Sequence, residues 1–508
     1  MSFWVIIGIL LVLGLIAGVG LLSGRRVRDS RDFLSGGGQA GPLLVCGSIL
    51  GSLVSSQATI GTAQLAFHYG LAAWWFTLGA GAGCLVLAAG YVSRLRRSGC
   101  ITELQIISAE YGAFAGGLGS VLCSIGIFIS VLSQVVACSG LLTVLFPGLS
   151  LPAAAGISIA LMCVYVIFGG AWGAGMGGVL KLALLCVLSV LGLVFVLLFC
   201  GGAGGMLDML TANFTGTGLG GVQSAANGLD NLGSRADVLR RYGNLIARGA
   251  AKDIGSGLSL LLGVLSTQTY AQAVWSAKSN RAARRGALLS ACLIPLIGVG
   301  SICAGLYMRA HYLLAAEVSA LAGSGPDMPV LESTLQVFPA FILNHLPPLA
   351  AGVGLGTLLI AVVGGGAGLS LGMATILTKD ILKKVCRSLN SSGAELAAVR
   401  ACIAVILLAA ALITAAVSGG AINDLGFLSM GLRGSVVFLP LTCALWLPSK
   451  VHRSGIAASM VLAPCTIFAV KLAGSPVDPL FAGVGVSALF CLAGTLRNRL
   501  DSTGILRR

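Results

Sequence analysis

Ser52, Ser55, Ser56, Gln57 and Thr59 crowd the middle of Gly47–Gly70, a stretch otherwise apolar and long enough to cross a bilayer. Hydroxyl and amide groups at that depth do the chemistry of binding, replacing water around a small polar solute or an ion. Left unanswered in hydrocarbon they are costly, so the cluster must face protein or a water-filled cavity. Gly51 and Gly61 flank it and weaken the helix on both sides. A broken helix lining a solute site has this composition. The competing arrangement is an unbroken helix whose hydroxyls bond back to the preceding turn.

Enzyme chemistry is missing elsewhere. His68, His311, His345 and His452 are scattered, and neither paired carboxylates nor a GxSxG element stands in a site-like setting. The 15 cysteines, Cys46, Cys84, Cys123, Cys138, Cys186 and Cys292 among them, lie mostly in apolar blocks without a CxxC pair. They read as soft packing residues, not a disulfide frame or a metal site. Gly364, Gly368 and Gly372, like Gly79, Gly81 and Gly83, make smooth faces for close helix packing and not phosphate loops, since no strand and no Lys-Ser/Thr follows. No cofactor is expected. Arg433, in the middle of LSMGLRGSVVF, is an intramembrane charge, read either as functional or as a tie to helix-end carbonyls.

These residues need a bilayer-spanning frame, and the composition supplies one. Of 508 residues 57% are hydrophobic and 9% charged, against a usual charged share of about 25%. The chain reads as an all-α polytopic membrane protein with about thirteen spans: 3–22, 41–68, 72–93, 117–146, 151–170, 176–201, 254–276, 285–308, 346–377, 396–418, 422–446, 454–472 and 478–496. The first block has no basic residue ahead of it and is followed by Arg25, Arg26, Arg28 and Arg31, which predicts a retained span with the N-terminus outside. The C-terminus then lies inside. Arg94, Arg96, Arg97, Lys181, Lys278, Arg281, Arg284, Arg285, Lys379, Lys383, Lys384, Arg387, Lys450 and Arg453 also fall inside, as the positive-inside rule requires. The net charge of +15 is therefore an orientation and anionic-lipid signal, and no nucleic-acid partner is expected. Two long connections, 202–253 and 309–345, are placed outside, the second ending in an amphipathic stretch before Pro347 and Pro348. No separate soluble domain is expected.

GRRVRDSRDFLSGGG, then the ATIGTA and YGL of the polar span, RLRRSGCITELQIISAEYG, YVIFGGAWG at 165–173, STQTYAQAVWSAKSNRAARRG at 266–286 and ILTKDILKK at 376–384 together resemble the sodium/solute symporter family, in collinear order from about residue 20 to 450. The resemblance implies a LeuT-like fold of two inverted five-helix repeats, 41–201 and 254–446, with peripheral helices at 1–22 and 454–496, all in one transporter domain over 1–500 and a cytoplasmic tail at 501–508. It implies a multi-pass protein of the cell membrane that carries a small solute by alternating access.

The family's sodium ion, by the same resemblance, would meet backbone carbonyls at Gly51, Val54 and Ala361 and a hydroxyl pair that falls here on Gly364 and Gly365. Neither glycine has a side-chain oxygen, so the shell loses two of about five ligands. An aspartate and a glutamine usual at the start of the sixth span fall on Gly178 and Lys181. Some sodium-independent relatives of this fold place a lysine of this helix in the vacant site, which makes Lys181 a candidate coupling residue. The alternative is that it snorkels to the cytoplasmic surface. The coupling ion stays open between proton and sodium.

Positions that sugar-carrying members use fall on Leu260, Gly263 and Thr77, which disfavours a hexose. Ser55, Ser56, Gln57, Thr59, Phe76, Thr77, Gln134, Ser259 and Phe427 remain to line a small, mildly polar cavity, with a half-helix N-terminus that favours a carboxylate. The expected solute is an amino acid or small organic acid. Gln268 and Gln272 are read as helix caps. A solute sensor or partner subunit that binds without transport is the second function class. No signalling domain follows Arg497, so transport is preferred.

Overall fold

In a bilayer the backbone must satisfy its own polar groups, and apolar blocks of this length do so as helices. A computed structural model describes residues 2–24, 38–146, 148–216, 232, 234–320, 328–386, 391–416, 422–474 and 479–502. Arg25, Arg26, Arg28, Arg31, Arg387 and most of the expected tail lie outside the described residues. Helix occupies every apolar block read from the sequence. Nine helices are long and apolar enough to cross a membrane, with three shorter apolar ones, Phe3–Val19, Pro42–Leu53 and Leu151–Val166, among the described residues. The strand pairing described is a parallel contact of Leu313–Leu314 with Val330–Leu331.

The chain opens with α1 (Phe3–Gly24) and α2 (Pro42–Leu53), which starts on a proline whose missing N–H costs nothing there. After a break, a π-helical turn over Gln57–Gly61 leads into α3 (Thr62–Tyr69). Gly70 then takes φ 56°, and a β-carbon there would lie 2.1 Å from the Tyr242 carbonyl oxygen, so only glycine serves. α4 (Trp75–Val86), the short surface helix α5 (Glu103–Tyr111) and α6 (Ala113–Leu145) follow.

The helical element α7 (Leu151–Cys200) covers the stretch where the sequence predicts two spans. A straight helix would separate Tyr165 from Gly177 by about 18 Å. Yet a β-carbon on Gly177 would meet the Tyr165 hydroxyl at 2.2 Å. The helix therefore folds back on itself between them, and its two arms stand where the fifth and sixth spans were expected.

At the end away from the basic connections lie α8 (Gly202–Gly216) and α9 (Arg235–Tyr242). The next span is split into α10 (Ala250–Val264) and α11 (Gln268–Trp275), followed by α12 (Asn280–His311), α13 (Val337–His345) and α14 (Pro348–Ile376). α15 (Ser392–Ala416), α16 (Ile422–Arg433), α17 (Leu439–Trp446) and the hairpin of α18 (Arg453–Leu472) with α19 (Pro479–Ser502) complete the bundle.

Burial separates the axis from the rim. The best apolar window of the α14 span is 83% buried, against 28% for that of α19. α14 can be central because its glycines admit neighbours: a β-carbon on Gly368 would lie 2.3 Å from the Ser52 hydroxyl of α2, and one on Gly372 2.3 Å from the Thr269 hydroxyl of α11. Gly79 and Gly83 of α4 likewise press against Gly257 and Val264 of α10.

Candidate functional site

α2 stops because Val54 leaves helical space, with φ −86° and ψ 88°. The stop frees carbonyls near mid-span, and two of the freed and neighbouring oxygens meet one ammonium. Lys181 Nζ donates to the Gly51 carbonyl at 2.7 Å and to the Ala361 carbonyl of α14 at 2.9 Å. The side chain is 1% exposed, so it points into the bundle and does not run to the surface. Gly178, one turn earlier, is where this arm of α7 comes closest to α2: a β-carbon there would lie 1.9 Å from the Gly47 carbonyl oxygen. No carboxylate side chain fits at that position in this packing.

Gly364 and Gly365 stand beside the Lys181 contact and offer no side-chain oxygen. They differ in room. A β-carbon on Gly364 would make ordinary contact with the Tyr165 hydroxyl at 3.4 Å, whereas one on Gly365 would collide with Ser55 Cβ at 2.4 Å. The Gly51 and Ala361 carbonyls both accept from Lys181, and neither glycine brings a side-chain oxygen to them.

The polar cluster mostly answers itself. The Ser56 amide and hydroxyl donate to Gln134 Oε1 at 3.2 and 2.8 Å, and Gln134 Nε2 donates to the Ser55 hydroxyl at 3.0 Å. Gln57 Nε2 donates to the Ser133 hydroxyl at 2.8 Å, and the Thr59 hydroxyl bonds back to the Ser55 carbonyl at 2.8 Å. All six residues are buried, and Ser55, Ser56 and Gln57 clamp the broken segment to α6, while the buried Ser52 hydroxyl has no hydrogen-bond partner.

Phe76 and Phe427 pack at a ring-centroid distance of 5.7 Å, and Thr77 bonds back to the Trp74 carbonyl. Ser259 and Phe427 line one of two adjoining cavities, of about 330 and 340 Å³, at the end away from the basic connections. Both cavities are lined by Arg248, Lys252 and Asp424, and Lys471 lies in the first. Arg248 Nε also holds the buried Asp253 at 2.6 Å. Sequence reasoning missed these vestibule residues because it placed Arg248, Lys252 and Asp253 in the outside connection 202–253 and counted Asp424 and Lys471 within spans. The signal was present in the charges of RGAAKD at the mouth of the seventh span.

Toward the basic end the space beside Ser52, Thr269 and Gly368 shrinks to about 20 Å³. Three ties seal it. The Thr102 hydroxyl and Gln105 Nε2 donate to the Asp380 carboxylate at 2.8 and 3.1 Å. Gln268 caps α5, accepting from the Glu103 amide at 3.1 Å and donating to the Ile101 carbonyl at 2.8 Å, while Gln272 Nε2 donates to the Thr375 hydroxyl. Arg96 reaches the Val274 carbonyl and Asn280 Oδ1 at 3.0 and 2.9 Å. Burial of Glu103 within this seal pushes its carboxyl up to about 8, against the opposing pull of the Arg433 guanidinium.

Arg433 is fully buried, and its partners are uncharged: the Thr267 hydroxyl at 2.8 Å, the Ser130 hydroxyl at 3.0 Å, and the Ser429 hydroxyl and carbonyl at 2.9 and 3.1 Å. It joins α16 and α6 to the break between α10 and α11. Among the described residues no group of three His, Cys, Asp or Glu side chains is placed to hold a metal ion.

The chain matches the model of the sodium:solute symporter family over residues 33–463. No curated protein is similar to it at a significant level. A substrate-bound, outward-open Na+-coupled sialic acid symporter superposes with TM-score 0.75 at 15% identity, with 98% of each chain covered. Mhp1, a nucleobase-cation-symport-1 family transporter in a closed conformation with bromovinylhydantoin bound, superposes with TM-score 0.51 at 12% identity, covering 94% of this chain and 96% of Mhp1. The fold is thus the LeuT-like transporter fold.

Proposed function

Because this chain belongs to the sodium:solute symporter family, we propose that it carries a small carboxylated solute, an amino acid or organic acid, with the Lys181 ammonium standing in for sodium. One observation carries this reading: Nζ of Lys181 bonds to the carbonyls of Gly51 and Ala361. A cation of fixed position there does what a bound sodium does, holding the broken helix against α14 by its charge. Hydrogen bonds from an ammonium are roughly twice as strong as those from a neutral donor. Transfer of its proton to water at the basic end, which the charge pattern makes cytoplasmic, weakens both bonds and lets α2 separate from α14. The conformational equilibrium then shifts with the proton, because the two states differ in this contact.

The solute class rests on the vestibule. Arg248 is balanced by Asp253, and Lys252 and Lys471 outweigh Asp424 along its walls. A cleft with a surplus of one sign raises the local concentration of the opposite one. The sialic acid symporter of the same fold carries an acidic solute by its name. Phe76 and Phe427 then form the floor that must open for solute to reach Ser55, Ser56 and Gln134.

The test is uptake of labelled amino and organic acids into proteoliposomes, with sodium and pH gradients applied separately. Uptake should follow the pH gradient and change little when sodium is replaced by potassium or choline at constant ionic strength. Strong sodium dependence overturns the assignment of Lys181.

A further inference from the structure

Two arginines at the vestibule end are buried away from the transport site, and neither is fully answered. Arg309, at the end of α12, is 0% exposed. Its Nη1 donates to both carboxylate oxygens of Glu317 at 2.9 Å, but its Nε and Nη2 have no hydrogen-bond partner. Arg241 of α9 is 6% exposed. Its Nε donates to the His68 carbonyl at 3.1 Å, while Nη1 and Nη2 are buried and unpartnered. The hydroxyl of Tyr242, a residue 1% exposed, is unpartnered as well.

Shared aromatic rings bring these groups together. Phe214 and Tyr242 stack at 5.5 Å, and one guanidinium lies against each ring: Arg309 is 5.1 Å from the Phe214 centroid, and Arg241 is 5.7 Å from that of Tyr242. The same two guanidinia also meet α3 on either side of His68, Arg309 at 4.8 Å from the Phe67 ring and Arg241 at 5.4 Å from the Tyr69 ring. Five N–H and O–H donors thus gather around one aromatic frame. Among the described residues two positive charges face the Glu317 carboxylate, a surplus of +1.

Buried donors without acceptors are rare in native structures and call for an unseen partner. Water answers hydrogen bonds but not charge. A small anion answers both. The site is lined by the buried rings of Phe67, Phe214 and Tyr242. We propose that Arg241, Arg309 and Tyr242 bind one chloride-sized monovalent anion.

Such an anion would fix α3, the outer half of the broken helix, to α9 and α12. The contact surface is already tight there, since Gly70 presses on the Tyr242 backbone and Gly305 of α12 on the Ala63 carbonyl. The proposal does not depend on the role of Lys181 or on the solute.

The test uses the full-length protein in lipid nanodiscs, with chloride, bromide, acetate or gluconate as the sole anion at constant ionic strength and pH. Chloride and bromide should raise the thermal midpoint, with the shift growing as the logarithm of concentration above the dissociation constant. Arg241→Gln and Tyr242→Phe keep the packing and should weaken the apparent chloride affinity, by about tenfold or more for the loss of the charged donor pair. Arg309→Gln also breaks the ion pair with Glu317 and serves only as a secondary variant. Bromide-soaked crystals should give an anomalous peak between the two guanidinia. Equal midpoints in chloride and gluconate, or stabilisation by acetate but not by bromide, would overturn the site, as would halide stabilisation undiminished in both Arg241→Gln and Tyr242→Phe.

Discussion

Lys181 and Gly51, 130 residues apart in sequence, share a 2.7 Å hydrogen bond at a point where the backbone has stopped being helical. Removing either end of this bond has different consequences, because the carbonyl exists whatever the side chain while the ammonium does not.

Lys181→Gln retains a donor but loses the titratable charge, so uptake should lose its response to a pH gradient while the protein still folds. Lys181→Met removes the donor too. It takes the ammonium from the Gly51 carbonyl at the end of α2, at about 1–3 kcal/mol, while the Ala361 carbonyl keeps its place in the α14 helix, and thermal unfolding in nanodiscs should show the loss. Equal pH responses in Lys181→Gln and the native protein would leave Lys181 a structural tie only.

Serine at the two glycines should divide them. Gly364→Ser enters ordinary contact distance of Tyr165 and should leave the thermal midpoint nearly unchanged. Gly365→Ser drives a β-carbon into Ser55 and should cost about 1–3 kcal/mol by overpacking. Neither alone should create sodium dependence while Lys181 occupies the carbonyls.

Glu103 predicts a pH slope of stability. Its carboxyl sits at about 8 in the folded protein, raised by burial from an ordinary value of 4.5. A raised folded-state pKa means that its contribution is fully present below about 4.5 and is lost as pH rises to about 8, then stays flat. Glu103→Gln should remove this slope between pH 5 and 8 and leave the variant more stable than the native protein above pH 8, by an amount on the order of a few kcal/mol. Unfolding midpoints across that range check both statements.

Vestibule lysines should act on encounter more than on turnover. Lys252→Gln and Lys471→Gln should each raise the KM for an anionic solute a few-fold at low salt, with the difference fading as salt screens the charge. Arg248→Gln is a different case: it strands the buried Asp253 carboxylate, and a loss of about 3–5 kcal/mol in stability is expected.

The break in the second span was legible from Ser52 to Thr59 because polar residues at that depth have few places to go. The central position of α14 was legible from its glycine spacing for the same kind of reason. What a one-dimensional pattern does not carry is the partner. Gln134 satisfies Ser55 and Ser56 across nearly eighty residues of chain, so side chains expected to face a cavity face each other instead. Arg433 was read either as functional or as a tie to helix-end carbonyls, and its partners are mostly hydroxyls from three elements. The Arg248–Asp253 pair was hidden because both residues sit at the mouth of a span, where charges ordinarily dissolve into solvent. The fold-back inside α7 also left no mark that separates it from a loop between two spans.

The close approach of Gly178 to the Gly47 carbonyl bears on how such a protein could change its coupling ion over generations. An aspartate at 178 collides with backbone, a serine at 365 collides with Ser55, and a glutamine at 181 leaves the carbonyls without a cation. Apart from serine at 364, each first step toward a sodium shell is disadvantageous on its own, and only their combination, with the helices moved apart, is productive. The present arrangement is an epistatic valley: a lineage that has entered it does not walk back one substitution at a time.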